Sequence, residues 1–331
     1  LNILYELDSN FAPQVCASMA SLCDSNRDVE DIHFYIFGLA LNSTAAENLR
    51  RVAREFGRSI DIIAIDGFME AFGNFDTFGW SEIVLSRLLM ARFLPEGVNR
   101  VLHLDGDTIV LSSLKDYWNT EFEGDQVIAG CIEATVDRDR LEALGLARSQ
   151  YFNAGVLLVD LKRWREEGIE RKIVDYCLEN GDKLFANDQD AINIVLKGRI
   201  KAVSPAYNWC NSYVFYNYRT LNSLMRGVPY YSKDEYKRGT SKPAIIHYLG
   251  EERPWREGNK HRYRDEYLRY LGATPYKGVG MEQGWRGYFV AWNVFNALMH
   301  PFPMARYRII TRLIPVVMEK RKRARKKDAE N

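Results

Sequence analysis

Two carboxylates separated by one glycine, Asp105-Gly106-Asp107, close the apolar run Val101-Leu102-His103-Leu104. Side chains of an extended segment alternate faces, so Asp105 and Asp107 point the same way. Gly106 between them leaves the backbone open to the close approach of a ligand. Two hard oxygen donors at one strand end suit Mn²⁺ or Mg²⁺, shared with a phosphate. A metal-free acidic turn is the plainer reading, because Asp-Gly is ordinary turn chemistry. The elements that must hold the pair bear on the choice.

Short apolar runs at Ile3-Leu4-Tyr5, Ile32 to Phe37, Ile60 to Ile65 and Val101 to Leu104 predict strands. Between them lie helical patterns over Ala12 to Leu22, after Asn42-Ser43, and from Ser81 to Phe93. Strands alternating with helices of about 10 to 15 residues indicate βαβ units and a mostly parallel sheet. Such sheets bind ligands beyond the carboxyl ends of their strands. Asp8 and Asp105-Gly106-Asp107 both fall at such ends. Further strands are expected at Gln126 to Cys131, Gly155 to Val159 and Ala244 to Tyr248, with helices over Leu161 to Tyr176 and Asp188 to Leu196. The chain turns helical, aromatic and basic from about Tyr263. This predicts one α/β domain over 1–262 and an appendage over 263–331.

Composition narrows the class. The chain has 331 residues and a formal net charge of +1, so overall electrostatics select no partner. The average conceals a basic end, Lys320 to Lys327, with seven cations in eight residues. Five cysteines are scattered without a Cys-x-x-Cys pair, which argues against zinc and against a disulfide framework. The chain opens in a strand rather than a leader segment, so the expected setting is reducing and cytoplasmic.

An apolar strand ending in Asp-Gly-Asp-Thr also suits a haloacid-dehalogenase-type phosphatase. That chemistry needs the motif on the first strand and a later acidic pair. Here the motif follows about the fourth strand, and Gly124-Asp125 and Gly181-Asp182 lack the second acid. Three later stretches favour another class: Tyr151-Phe152-Asn153-Ala154-Gly155, Asn187-Asp188-Gln189-Asp190 and His247-Tyr248-Leu249-Gly250 with Arg253-Pro254-Trp255. In this order, with Asp8-Ser9-Asn10-Phe11 at the start, the chain resembles the retaining glycosyltransferases of family 8 from Ile3 to Trp255. That family includes bacterial lipopolysaccharide galactosyl- and glucosyltransferases.

The resemblance implies a GT-A-like nucleotide-sugar-binding fold with a mixed, mostly parallel central sheet. It implies that Asp105, Asp107 and His247 hold Mn²⁺ (or Mg²⁺) against the diphosphate of a UDP-sugar. It assigns Asp8, Asn10 and Phe11 to the nucleoside, Arg87 to the diphosphate or sugar, and Glu133, Asn153, Asp188 and Gln189 to the sugar pocket. Gly250 and Arg253 would close on the diphosphate. Four positions depart from the family's usual residues: Phe11 where Tyr is commoner, Glu6 for a small residue, Glu133 for Asp and Arg253 for Lys. Asp188 and Asp190 can also be read as helix N-terminal acids favoured by the helix dipole. The implied substrates are UDP-galactose or UDP-glucose and a saccharide acceptor on a lipid-linked envelope glycan such as lipopolysaccharide. A non-catalytic sugar-nucleotide or glycan-binding module is the rival, but a binder has no need of a leaving-group metal.

The tail adds a location. Trp285, Tyr288, Phe289, Trp292, Phe295 and Met299 recur at intervals of three or four, an aromatic stripe on a helix. Gly287 to Ala305 carries no formal charge, yet its Asn, His and Pro residues make a membrane span a poor reading. Arg306, Arg308 and Arg312 then interleave with Ile309, Ile310 and Leu313 before the cationic run. This pattern describes a segment lying on an anionic membrane surface, with the enzyme peripheral on the inner face. The basic run has no nucleic-acid-binding fold around it, so no nucleic acid is expected.

Overall fold

The computed structural model describes residues 1–225 and 227–330, the side chains of 325–330 excepted. Strand β1 (Asn2–Asp8) leads through a 3-10 turn into helix α1 (Ala12–Ser25), then β2 (His33–Leu39), helix α2 (Ser43–Glu55) and β3 (Ser59–Ala64). The chain next returns to the far side of β1 as β4 (Arg100–Leu104). These four strands are parallel, in the order β3-β2-β1-β4. β1 and β4 are almost wholly buried and mainly apolar, and the polar residue inside each, Glu6 and His103, pairs with the other. The strand order reverses at β1/β4, and there the carboxyl ends of neighbouring strands open a crevice. Asp8 is the last residue of β1, and Asp105 is the first after β4.

The remaining strands are β5 (Thr108–Val110), β6 (Ile128–Ile132), β7 (Phe152–Asp160), β8 (Ile200–Ala202) and β9 (Ile245–His247). β7 lies antiparallel between β4 and β6, and β8 adds parallel to β6, completing a mixed seven-stranded sheet. β5 and β9 form a separate antiparallel pair in which Thr108 faces His247. That pairing carries His247 across about 140 residues of chain to the carboxylate turn. Two apolar layers cover the two faces of the large sheet. One is built on α1, α2 and the strand residues facing them; the other contains Leu85, Leu88, Trp164, Ile173 and Ile192.

Three local expectations are replaced. The helix expected from Ser81 is a 3-10 stretch, Glu82–Leu89, that becomes α-helical only for Met90–Phe93. Side chains three apart eclipse in such a stretch, so Ser86 and Arg87 are buried together with Leu85, Leu88 and Leu89. The helix expected over Leu161 to Tyr176 is two helices, α3 (Leu161–Glu166) and α4 (Ile169–Asn180), parted at Gly168 with φ of 61°. β5 and β8, each three residues long, were not expected, since runs so short carry no periodicity.

Helix α5 (Asn187–Val195) packs beside β7. Beyond β9 come α6 (Arg264–Gly272), α7 (Arg286–Met299) and α8 (Pro303–Glu330), so the chain past Tyr263 is helical as expected. α6 buries Tyr267, Tyr270 and Leu271 against the body, and the Tyr270 hydroxyl donates to Asp24 Oδ2 at 3.1 Å. Among the described residues, no helix is long and apolar enough to cross a membrane.

Candidate active site

The carboxylate turn is tied down before its side chains do anything. The Asp105 amide donates to Gly155 O at 2.7 Å, the Thr108 hydroxyl to Asp105 O at 2.8 Å, and the Tyr248 amide to Asp107 O at 2.9 Å. The close approach allowed by Gly106 is made by protein: a Cβ there would lie 2.7 Å from Val15 Cγ2 and 2.9 Å from Phe11 Cδ1. Gly155 on β7 is under the same constraint, since its Cβ would meet His247 Cε1 at 2.3 Å and Asp105 Oδ2 at 2.5 Å.

Asp105, Asp107 and His247 converge within 4.8 Å of one another. His247 Nε2 lies 3.3 Å from Asp105 Oδ2 and 3.2 Å from Asp107 Oδ1. Nδ1 is 2.9 Å from Asn208 Oδ1; an amide oxygen only accepts, so Nδ1 carries a proton and Nε2 is the ring atom turned to the carboxylates. Nε2 is buried and without a hydrogen-bond partner. An orphaned, oriented imidazole nitrogen between two carboxylates fits a hard divalent cation. The local field says the same. Burial pulls the His247 pKa down, but the two carboxylates push it up to about 9, so positive charge is favoured at that point.

Arg87 occupies the other side of Asp105. Its guanidinium pairs with Glu6, donates to Asp105 Oδ1 at 2.7 Å and to Ala154 O at 2.9 Å, and lies 3.4 Å from Asp188 Oδ2. Burial opposes its charge, but Asp105, Glu6 and Asp188 hold it firmly protonated. Burial likewise opposes ionisation of Asp105, and Arg87 and His247 overcome it, leaving Asp105 far below the ordinary carboxylate range. Asp188 goes the other way: burial pushes it up to about 7 despite Arg87. Glu6 also bonds the fully buried His103 at 2.7 Å, so this departure from the family pattern sits within the charge cluster.

Asn153 is a hub. Its Nδ2 donates to Glu133 Oε2 at 2.8 Å, while its Oδ1 accepts from Asn208 Nδ2 at 2.8 Å and from the Gly155 amide at 2.9 Å. Gln189 Oε1 accepts from the Ala154 amide at 3.0 Å and its Nε2 donates to the Tyr151 hydroxyl at 3.2 Å, which fixes the amide's orientation. The two acids of α5 part company. Asp188 faces Arg87, whereas Asp190 accepts from the Ala186 amide and the Tyr151 hydroxyl and pairs with Arg140, a structural role.

At the crevice edge Asp8 Oδ1 accepts from the amides of Asn10 and Phe11, which sets the turn carrying both. The Arg253 guanidinium lies 5.8 Å from the Phe11 ring centre, 5.5 Å from that of Trp255, and 3.6 Å from Asp107 Oδ2. Gly250, with φ of 74°, makes the bend between His247 and Arg253. The structure therefore links Asp105 to His247 and Arg87, His247 and Arg253 to Asp107, and Arg87 to Asp188, with Asn153 bonded to Glu133 and Gln189 to the Ala154 amide beside them on β7. Asn208 was missed by the sequence reading. It lies in no motif, and only the bond from β9 to its side chain shows its role.

The tail helices turn part of the aromatic stripe inward: Trp285, Trp292 and Phe295 are half-buried, while Tyr288 stays exposed. Phe289 is buried, and Arg306 sits 3.8 Å from the Phe215 ring centre and 5.3 Å from that of Trp292, donating to the Tyr216 hydroxyl at 2.6 Å. Tyr288 and Phe302 apart, the exposed face is aliphatic: Val290, Val294 and Leu298 are 65%, 56% and 64% exposed, with Leu313 and Val316 continuing along α8. Within the basic run, the side chains of residues 325–327 lie outside the described residues.

A solved structure of the galactosyltransferase LgtC, in complex with donor and acceptor sugar analogs, aligns with a TM-score of 0.71 at 24% identity over 87% of this chain and 99% of its own. That likeness places the fold in the GT-A class. The chain also matches the description "Glycosyl transferase family 8" over residues 2–259, and it belongs to that family. Its relatives include General stress protein A of Bacillus subtilis (strain 168), 24% identical over 85% of this chain and 96% of the relative. The lipopolysaccharide 1,3-galactosyltransferase of Salmonella typhimurium is 23% identical over 83% of this chain and 79% of its own.

If Asp105, Asp107 and His247 hold a divalent cation, the His247 geometry makes that binding depend on pH. A metal needs the neutral ring, and below about pH 9 the ring carries a proton that must leave. Affinity for Mn²⁺ should therefore rise by up to roughly tenfold per pH unit toward that value and then level off. Titration calorimetry in buffers of different ionisation heat should count about one proton released per Mn²⁺ at pH 7. A pH-independent affinity with no proton release would contradict the assignment.

Proposed function

We propose that the protein transfers a hexose from UDP-galactose or UDP-glucose, with retention, to a saccharide acceptor carried on a lipid-linked envelope glycan such as lipopolysaccharide. The observation that carries this reading is the buried, unpartnered His247 Nε2 aimed between Asp105 and Asp107 at the β1/β4 crevice. The names of the relatives support the sugar and the envelope acceptor. A panel of UDP-sugars tested for Mn²⁺-dependent hydrolysis addresses the donor directly; absence of hydrolysis with every donor would favour a binding module.

In this reading Asp105, Asp107 and His247 hold Mn²⁺ or Mg²⁺. The ion supplies Lewis-acid stabilisation of the departing diphosphate. Arg253, braced on Phe11 and Trp255, adds positive charge where negative charge develops. Its planar fork replaces the point charge of a lysine. Asp8, Asn10 and Phe11 receive the nucleoside. Arg87 spans Asp105 and Asp188 and so couples the metal side of the site to the sugar side. Glu133, Asn153, Asp188 and Gln189 surround the sugar.

The anomeric centre becomes oxocarbenium-like as the donor bond breaks. The residue beneath it in this reading, Gln189, is an amide and a poor nucleophile, locked by Ala154 and Tyr151. Transfer on the front face, assisted by a phosphate oxygen of the leaving group, follows. A second route runs through Asp188, the nearest carboxyl: Arg87 lies 3.4 Å from it, but burial raises it to about 7, so attack by Asp188 would need the ionised form that prevails above that pH.

The segment 263–331, through the exposed aliphatic face of α7 and α8 and the cations that follow, rests the enzyme on an anionic cytoplasmic membrane surface. Cations near such a surface contribute about 1 kcal/mol each.

Three outcomes test these assignments. Asp105→Asn or Asp107→Asn should abolish Mn²⁺-dependent hydrolysis with the far-ultraviolet circular dichroism unchanged; full activity in either variant would remove the metal set. Gln189→Ala should lower kcat about 10- to 1000-fold with donor affinity nearly constant. A glycosyl adduct trapped on Gln189 would refute its role, while one on Asp188 would establish double displacement. Finally, the full chain should co-sediment with anionic vesicles in low salt and leave them in high salt. The chain truncated after Gly280 should remain soluble and hydrolyse donor without binding vesicles, and equal binding by both forms would defeat the membrane assignment.

A further inference from the structure

The far end of α8 touches two segments that are distant in sequence. Met318, 3% exposed, lies against residues 76–79: a Cβ on Gly79 would come within 2.5 Å of Met318 O and 3.2 Å of the Lys322 amide nitrogen. Lys322 pairs with Asp76 and sits 6.0 Å from the Phe78 ring centre. Its neighbour Arg321 pairs with Glu251, whose carboxylate also holds Arg256.

Both anchoring segments carry groups of the donor site. Residues 76–80 close on the approach to α5: Asn187 Nδ2 donates to Thr77 O at 3.2 Å, and Trp80 Nε1 to Phe185 O at 2.9 Å. Phe78 and Asn187 have φ of 51° and 44°, a left-handed conformation that such residues keep only when their surroundings hold them there. Asn187 leads directly into Asp188 and Gln189. On the other side, Glu251 follows Gly250 and precedes Arg253 by two residues, in the loop that continues from His247.

Adjacent residues of one helix thus tie together two edges of the crevice. A nucleotide-sugar that reaches Asp188 on one edge and Arg253 on the other must pass between them. Partly exposed ion pairs of this kind are individually weak. Both cations also belong to the run that an anionic surface attracts.

We propose that residues 318–322 form a strap across the mouth of the donor site, closed while Arg321 and Lys322 hold Glu251 and Asp76, and opened when an anionic membrane surface takes those two cations. The proposal rests on the donor-site reading given above. It makes the enzyme slow in bulk water and fast on a surface that carries lipid-linked acceptor.

Hydrogen exchange on the full chain tests the strap without requiring turnover. In the double variant Arg321→Ala, Lys322→Ala, amides of residues 76–80 and 250–253 should exchange about 2- to 10-fold faster than in the wild type. Vesicles of phosphatidylglycerol and phosphatidylcholine should produce the same gain in the wild type and none in the variant, and pure phosphatidylcholine vesicles should produce none in either. Exchanging the charges of one pair, Asp76→Lys with Lys322→Asp, with Arg321 intact, should leave both segments at wild-type exchange. UDP release during donor hydrolysis should accelerate in parallel. Unchanged or slower exchange in either segment of the double variant overturns the strap. Faster exchange with no hydrolysis of any donor in any form upholds the strap and refutes the donor reading instead.

Discussion

Asp105 and Asp107 are two like charges on one short turn, and they can be held there only if positive charge stands beside them. The fold supplies it from three directions. Arg87 comes from a buried 3-10 stretch, His247 from a strand pair separate from the main sheet, and Arg253 from the loop after it. In a partly dehydrated crevice each attraction is stronger than it would be in water. The same carboxylates that raise the basicity of His247 create the well into which a divalent ion fits. Strand order places the turn, but β5–β9 pairing completes it.

Much of this was legible in the sequence because the relevant signals are local and strong. Short apolar runs located seven of the nine strands among the described residues, and their alternation with helices predicted the mostly parallel sheet; the reversal at β1/β4 is visible only in the structure. The carboxylate pair announced itself by spacing. Two things stayed hidden. Three-residue strands have no periodicity, so β5 gave no sign although it brings His247 to the site. Asn208 lies in a 3-10 turn with no chemical signature of its own, and its importance comes from the imidazole and the Asn153 amide that it joins.

Two readings changed meaning without changing place. Gly106 was expected to admit a ligand to the backbone, and it admits the Phe11 ring and Val15. The aromatic stripe of α7 was read as a surface feature, yet Trp292 meets Phe215 edge-on beneath Arg306 and Phe289 is buried, while Tyr288 stays exposed beside valines and a leucine. A helical wheel reports that one face differs from the other; it does not say which of two apolar faces finds a protein partner.

Asn153 bonds Glu133 through its nitrogen and, through its oxygen, the amide of Asn208 that fixes the His247 tautomer. In the proposed donor reading, sugar recognition and metal recognition would therefore not be independent. An exchange at Asn153 that suits a different hydroxyl pattern would also disturb the imidazole two residues along the bond chain. Evolution toward a new donor sugar would have to keep an Asn-like amide at this point, or replace Asn153 and Asn208 together. Variation in donor preference is then channelled to Glu133, the one end of the chain of bonds that does not touch the metal side.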